Sequence, residues 1–120
     1  MAGEFSDALR DRSEITVTVT GRVSGRDISH VVWFVTGDGT VRLLPVRGSD
    51  TGWFRNLRAS QRLRLSAGEA SVTVPATIVT DPALVGGIVG EFGAKYGADR
   101  ITQLYPKTDV AVLAEVGGAS

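Results

Sequence analysis

The chain has 120 residues, of which 42% are hydrophobic and 22% charged, and its formal net charge at pH 7 is zero; these values are typical of one globular domain. It contains no cysteine and a single histidine, which excludes disulfides, thiol catalysis, and metal sites built on thiolates or on several imidazoles. Because the net charge is zero, the protein as a whole has no excess positive charge that would attract nucleic acid. We therefore expect neither a metal site nor a nucleic-acid partner.

The first twelve residues, MAGEFSDALRDR, predict a short amphipathic helix over 5–11. They show no basic segment followed by an apolar run, and no apolar stretch of the sequence approaches a membrane-spanning length. We expect a cytoplasmic protein without a membrane span. It should form a single domain over 1–120, with a frayed C-terminus at 117–120.

Strand signals fill the first half of the chain after this helix. EITVTVT at 14–20 alternates apolar and polar residues and predicts a half-buried strand. After the turn GRVSGRD, the β-branched and aromatic run ISHVVWFVT predicts one continuous strand over 28–36, closed by the hairpin signal GDG. A third strand, TVRLLPV at 40–46, follows, and its proline near the end indicates an edge or a termination.

The second half mixes helices with strands. From residue 81, where an Asp-Pro pair marks a helix start, the apolar residues recur at helical spacing and no longer at strand spacing. This predicts a helix over 81–97. Shorter helices are predicted over 50–60 and up to residue 104, and strands over 61–67, 70–80 and 108–116. Six strands in mostly hairpin order predict a mainly β fold, an antiparallel barrel with flanking helices, with an open α+β sandwich as the alternative. The barrel is favoured because short strands need closure, or a partner, to hide their edges.

The stretch RGSDTGWFRNL, residues 47–57, concentrates groups that can bind an anion. Gly48 permits a sharp turn, the helix start offers unpaired N–H groups, and Arg47 adds a cation beside them. Trp53 and Asn56 follow on the same helical face and add two side-chain donors. The alternative interpretation is a capped helix in which Trp53 packs in the core and Arg47 lies in solvent.

Two further stretches are candidates for ligand contact. TGRVSGRD, residues 20–27, could present its backbone N–H groups as an anion-binding nest beside Arg22 and Arg26, or could be a plain hairpin loop. In HVVWF, residues 30–34, Trp33 could stack on a planar ligand or be part of the core. The segment between residues 20 and 64 contains eight arginines and only three acidic residues. This local excess of positive charge indicates either an anion pocket or a solvated strand face.

No catalytic motif stands out in the sequence: paired carboxylates, a nucleophile elbow, a phosphate-binding P-loop and GxGxxG are all missing. If the protein is an enzyme, a cofactor must carry the chemistry while the chain binds and orients the reactants.

The order of these motifs resembles a known family. TGRVSG, an aromatic strand, an apolar strand ending in a basic residue and glycine, and then WFRNL are similar to the deazaflavin-dependent nitroreductases. These are small flavin and deazaflavin oxidoreductases with the FMN-binding split-barrel fold, related to pyridoxamine phosphate oxidase-like proteins. The likeness runs from about Ile15 to Val116.

The resemblance implies a homodimer that binds coenzyme F-420 in a groove of the barrel and transfers hydride from it to a small electrophilic substrate. Water, Tyr96 or Tyr105 would supply the proton. The implied cofactor contacts are Val31, Val32 and Trp33 for the deazaflavin ring; Arg47, Trp53 and Asn56, with the neighbouring Val46 and Gly48, for the phosphate; and Arg22, Ser24 and Gly25 for the phosphate or the acidic tail.

Two positions depart from the family pattern. Val23 stands where members often have lysine, and Val46 stands where they often have a small polar residue; each change removes a polar contact. One alternative is an FMN-binding oxidoreductase of the same fold, because the FMN phosphate would suit the same pocket. Another, of a different class, is a non-catalytic split-barrel protein that binds a ligand or cofactor.

Overall fold

The computed structural model describes residues 5, 8–9, 12–37 and 39–116. Most of the predicted N-terminal helix and the C-terminal residues 117–120 lie outside them. The described part contains seven strands and three α-helices, with one turn of 3-10 helix (Gly48–Asp50) before the first helix. The strands are β1 (Ile15–Thr20), β2 (Asp27–Val32), β3 (Val35–Gly37), β4 (Thr40–Leu43), β5 (Arg62–Ala67), β6 (Ala70–Val79) and β7 (Ala111–Glu115), and the helices are α1 (Gly52–Ser60), α2 (Pro82–Tyr96) and α3 (Ala98–Leu104).

All strand pairs are antiparallel, in the order β2-β1-β5-β6-β7-β4-β3. The two edge strands, β2 and β3, are consecutive in the chain and are separated only by Trp33 and Phe34. The sheet therefore curls until its two edges meet at this short connection. The long strand β6 joins the two halves, since it pairs with β5 up to Pro75 and with β7 from Ala76 onward. The result is a split barrel, as predicted, and not an open sandwich.

The predicted strand count of six was wrong because the strand expected over 28–36 is interrupted at Phe34. The Phe34 N–H donates to the Tyr96 hydroxyl (2.9 Å), and the Phe34 carbonyl accepts from Lys95 Nζ (2.8 Å) and from the Tyr96 hydroxyl (2.7 Å). Side chains of α2 thus satisfy the backbone polar groups that strand pairing would otherwise satisfy. The chain turns there, and β2 and β3 become separate strands.

Two apolar clusters form the core. One fills the barrel with inward-facing strand residues such as Val17 and Leu65, and α1 packs Phe54 and Leu57 against it. The other lies between the sheet and helices α2 and α3, and includes Phe92. Helix α2 begins as predicted, with the Asp81 carboxylate capping the Ala83 N–H (2.9 Å) and Pro82 in the first turn. No helix in the described part of the chain is long and apolar enough to cross a membrane.

Candidate functional site

An apolar cleft brings together four of the residues predicted to bind the cofactor. Val31, Val32 and Trp33 at the end of β2 line it with Val46, and its volume is about 300 Å³. Val31 and Val46 are 66% and 45% exposed as whole residues, so the cleft presents apolar surface to solvent. Such exposed apolar surface at a concave site is typical of a binding groove. The remaining lining residues are Glu14, Leu44, Leu104 and Tyr105.

Trp33 forms a rigid aromatic wall of this cleft. Its ring stacks on Tyr96, with centroids 4.3 Å apart and planes within 7°, and lies 6.3 Å from Tyr105 at a tilt of 47°. Stacking fixes one face of the indole. The half-buried ring is therefore held in place by α2, although it belongs to the connection between β2 and β3.

The two predicted proton donors have different surroundings. The Tyr96 hydroxyl is committed to backbone atoms, since it contacts the Ser13 carbonyl (2.9 Å) as well as both polar groups of Phe34. Tyr105 lines the cleft, and its hydroxyl has no hydrogen-bond partner among the described residues. Burial and the nearby Tyr96 raise the pKa of Tyr105 to about 12. Tyr105 therefore stays protonated at neutral pH and can donate a hydrogen bond within the cleft.

Arg47 follows directly on the cleft residue Val46. Its backbone N–H donates to Thr51 Oγ1 (2.8 Å), and its backbone forms an isolated parallel bridge with Lys107. Among the residues that the structure describes, none accepts a hydrogen bond from the exposed guanidinium. An exposed cation without a described acceptor therefore follows a cleft residue directly in the chain, which suits a flat ligand with an anionic substituent if the side chain reaches it.

The protein's own Asp109 fills part of the predicted anion pocket. Its carboxylate accepts from the Ser49 N–H (2.9 Å) and from Ser49 Oγ (2.6 Å). Burial would raise the pKa of Asp109, but the two hydrogen bonds from Ser49 and the charge of Lys107 outweigh it and lower the pKa. Lys107 also binds Asp50 (3.0 Å). The Ser49 donors are already used, and the Arg47 guanidinium remains for an external anion.

The two sequence motifs meet through one hydrogen-bonded contact. Asn56 on α1 accepts at Oδ1 from the Arg22 backbone N–H (3.1 Å) and from Arg22 Nη1 (2.7 Å). Asn56 is buried, and Trp53 is only 4% exposed within the barrel core. For the Trp53 ring, the alternative interpretation as a core residue is therefore the one the structure shows. The Arg22–Asn56 pair fastens the β1–β2 loop to α1.

Hydrogen bonds within the β1–β2 loop hold its two ends together. The Gly21 N–H donates to the Arg26 carbonyl (2.7 Å), and the Gly25 N–H donates to the Gly21 carbonyl (2.9 Å). Ser24 Oγ accepts from the Arg26 N–H (3.2 Å). Val23 at the tip is 93% exposed. These donors are thus used within the loop, and the structure places Ser24 and Gly25 in a hairpin connection.

Sequence analysis missed Asp109, Lys107 and Lys95. Each acts on a residue roughly sixty positions away, at Ser49, Asp50 or Phe34, and a local pattern carries no signal for such contacts. Among the described residues, no group of three histidine, cysteine, aspartate or glutamate side chains could hold a metal ion.

Gly48→Ala is expected to lower the free energy of unfolding by about 1–2 kcal/mol, the cost of a left-handed conformation for a residue with a side chain. Gly48 has a φ of +55°, and a Cβ there would lie 2.0 Å from Asp109 Oδ1, which would push the carboxylate away from Ser49. Gly87→Ala is the control: a Cβ at Gly87 meets nothing within 4 Å, and alanine stabilises a helix interior by about 1 kcal/mol over glycine. Urea unfolding of each variant measures its free energy of unfolding. If both substitutions raised it, or both lowered it, this account would be contradicted.

The sequence matches no protein-family model, and no curated protein matches it. Solved structures do resemble it in fold. An F420-H2-dependent reductase, FDR-A, shares 16% identity with a TM-score of 0.66, covering 87% of this chain and 95% of that one. A pyridoxamine 5′-phosphate oxidase-like protein from Listeria innocua has 11% sequence identity and a TM-score of 0.68, and the match covers 94% of this chain and 90% of that one. A chain described as a domain-swapped dimer has 16% sequence identity and a TM-score of 0.69, and the match covers 88% of this chain and 81% of that one. The chain therefore has the split-barrel fold of these proteins.

Proposed function

We propose that the protein is an oxidoreductase that binds the deazaflavin coenzyme F-420 and transfers hydride from it to a small electrophilic organic substrate. The observation that carries the proposal is the apolar cleft of Val31, Val32, Trp33 and Val46, with the exposed Arg47 as the next residue in the chain after Val46. This pairing suits a flat ring with an attached phosphate. The reductase FDR-A, which is named for its dependence on F420-H2, supports it through the shared fold.

The residues present fit such a cofactor. The ring would lie against β2 and the Trp33 wall, and its phosphate would bind Arg47, a residue type suited to phosphate recognition. When bound, the deazaflavin supplies the hydride. The chain orients the reactants and excludes water with its apolar walls, while the neutral Tyr105 hydroxyl holds a proton at the edge of the cleft.

An FMN-dependent oxidoreductase of the same fold is the second candidate. The pyridoxamine 5′-phosphate oxidase-like structure favours it, and the FMN phosphate would use the same Arg47. The two candidates share the cleft and the reaction type and differ in the cofactor.

A fluorescence titration with coenzyme F-420 and, separately, FMN tests the proposal. The chain has two tryptophans, and only Trp33 lines the cleft, because Trp53 lies in the barrel core. We expect a bound cofactor to quench Trp33 fluorescence at micromolar concentration. The quenching should persist in Trp53→Phe and be largely lost in Trp33→Phe.

Three results would count against the proposal. Quenching that survives in Trp33→Phe and disappears in Trp53→Phe would place the ligand outside the cleft. The absence of binding to either cofactor would leave a binding module for another ligand. Binding without consumption of the reduced cofactor in the presence of quinones, nitroaromatics or unsaturated carbonyls would indicate a non-catalytic protein.

We further propose that the protein is a homodimer. Strands β2 and β3 each pair with only one neighbour within the described chain, and none of the six residues of β2 is buried: four are exposed and two are half-buried. Open edges of this kind need cover, and a similar structure is described as a domain-swapped dimer. Sedimentation at micromolar concentration should give twice the mass of one chain, and a monomer would contradict the proposal.

A further inference from the structure

The lining of the apolar cleft includes one carboxylate. Of the eight described residues that line the cleft, Glu14 alone carries a charge, and the other seven are aliphatic or aromatic. Glu14 is exposed, and no cation in the described part of the chain forms an ion pair with it. The cleft therefore offers a ligand one negative charge that the chain itself does not neutralise.

The pairing of β1 with β2 brings Glu14 to the Trp33 wall. Ile15 lies opposite Val32 in this antiparallel pair, so Glu14 and Trp33 are the next residues beyond the same end of it. Ile15 is buried in the barrel core, and because side chains alternate between the two faces of a sheet, Glu14 lies on the outer face. The register thus explains why Glu14 and Trp33 line the same cleft.

The charge of Glu14 acts on Tyr96, the ring on which Trp33 stacks. Burial raises the pKa of Tyr96, its hydrogen bond with Phe34 lowers it, and the Glu14 charge raises it further. Lys95 Nζ lies 5.1 Å from the Tyr96 ring centroid, but it donates to the Phe34 carbonyl. The negative charge at this end of the cleft is therefore close to the stacked rings.

An aromatic face beside an unpaired carboxylate is suited to a flat organic cation. The face of a tryptophan ring attracts a cation through the ring quadrupole, and the carboxylate attracts it by charge. The apolar walls also remove the hydrocarbon surface of such a ligand from water. An anionic ligand of the same shape would gain only the last of these contributions, and Glu14 would repel it.

We propose that the cleft takes a flat aromatic cation, such as an N-alkylated pyridinium or quinolinium, as its hydride acceptor, and that Glu14 and Trp33 select this cation. The inference rests on the proposed function, in which a reduced cofactor supplies the hydride. The cofactor's C–H bond breaks, a new C–H bond forms at a carbon of the acceptor ring, and a π-electron pair of that ring moves onto its nitrogen. The acceptor gains two electrons and becomes neutral, while the cofactor is oxidised by two electrons and releases one proton to water.

This reaction makes the role of Glu14 one of substrate binding. The positive charge is fully present in the bound acceptor and disappears as the hydride arrives, so the attraction to Glu14 is strongest before the reaction and is absent in the product. Glu14→Gln should therefore raise KM for the cation without lowering kcat. A lower kcat with an unchanged KM would contradict this role.

Two ligands of similar size isolate the charge without any cofactor: 1-methylquinolinium and 4-methylquinoline, which is uncharged at about pH 8. Calorimetric titration gives both affinities. Because Glu14 is exposed, we expect Glu14→Gln to weaken the binding of the cation by only about two- to fivefold and to leave the binding of the neutral ligand unchanged. Glu14→Lys should weaken cation binding further, and added salt should reduce the native preference.

Glu69→Gln is the matched control, because it removes an exposed carboxylate in the β5–β6 turn; it should leave both affinities unchanged. An unchanged affinity ratio in Glu14→Gln would overturn the inference, and so would an equal loss for both ligands, which would mean that Glu14 only shapes the cleft. If coenzyme F-420 binds but 1-methylquinolinium does not, this inference alone fails. If the cation binds with the expected dependence on Glu14 but neither coenzyme F-420 nor FMN binds, the proposed function fails and only the cation site remains.

Discussion

Tyr96→Phe is expected to lower the free energy of unfolding by about 2–3 kcal/mol, because a buried backbone donor loses its partner. The Phe34 N–H bonds to the Tyr96 hydroxyl, and Phe34 is only 1% exposed. Its carbonyl retains Lys95 after the substitution, so the loss falls mainly on the N–H group. Phenylalanine preserves the ring that stacks on Trp33. Chemical denaturation of the native protein and the variant measures the difference.

Tyr105→Phe is the matched control. It removes a hydroxyl that has no hydrogen-bond partner among the described residues, so we expect stability to change by less than about 0.5 kcal/mol. If Tyr105 donates the proton, this variant should instead lower turnover. Equal loss of stability in both variants would contradict the role assigned to the Tyr96 hydroxyl at the β2–β3 break.

Local patterns predicted much of the fold. Strands β5 and β6 alternate more buried and less buried residues, and such alternation indicates a strand with one face toward the core without knowledge of its partners. The start of α2 could also be predicted from nearby residues, because Asp81 and Pro82 form the cap at the helix's own first turn. Features decided within a few residues could be predicted for this reason.

Long-range contacts explain what the sequence did not predict. The strand over 28–36 was predicted from a continuous β-branched and aromatic run, and its break depends on side chains of Lys95 and Tyr96 from another element. The stretch 47–57 was predicted to offer donors to an anion, and Asp109, from far along the chain, accepts from two of its groups, the Ser49 N–H and the Ser49 hydroxyl. At Phe34 and at Ser49, a side chain from a distant part of the chain bonds backbone groups for which the local sequence pattern had predicted another partner.

The cleft illustrates how these two kinds of information combine. Val31 to Trp33 and Val46 came from the motif resemblance, and the curl of the sheet brings them to one wall. The same break at Phe34 that adds a seventh strand also sets Trp33 against Tyr96. The feature that sequence alternation could not foresee therefore positions the aromatic surface of the candidate site.

Arg47→Ala is expected to weaken the binding of coenzyme F-420 by about ten- to a hundredfold, since a hydrogen bond to a charged group contributes about 1.5–3 kcal/mol. The fold should survive, because the native backbone contact, from the Arg47 N–H to Thr51 Oγ1, does not need the side chain. Tryptophan quenching gives the affinity, and thermal unfolding without cofactor should be nearly unchanged.

Arg64→Ala removes the same charge elsewhere and serves as the control. Arg64 lies on β5 and lines a separate surface pocket with Thr18 and Thr73, so its loss should change affinity less than about threefold. Arg47→Lys tests the type of contact: a lysine keeps the charge but lacks the planar guanidinium fork. Partial recovery would indicate bidentate recognition, and full recovery a simple charge. If Arg47→Ala and Arg64→Ala weakened binding equally, the phosphate would sense only the general field, and Arg47 would not be its anchor.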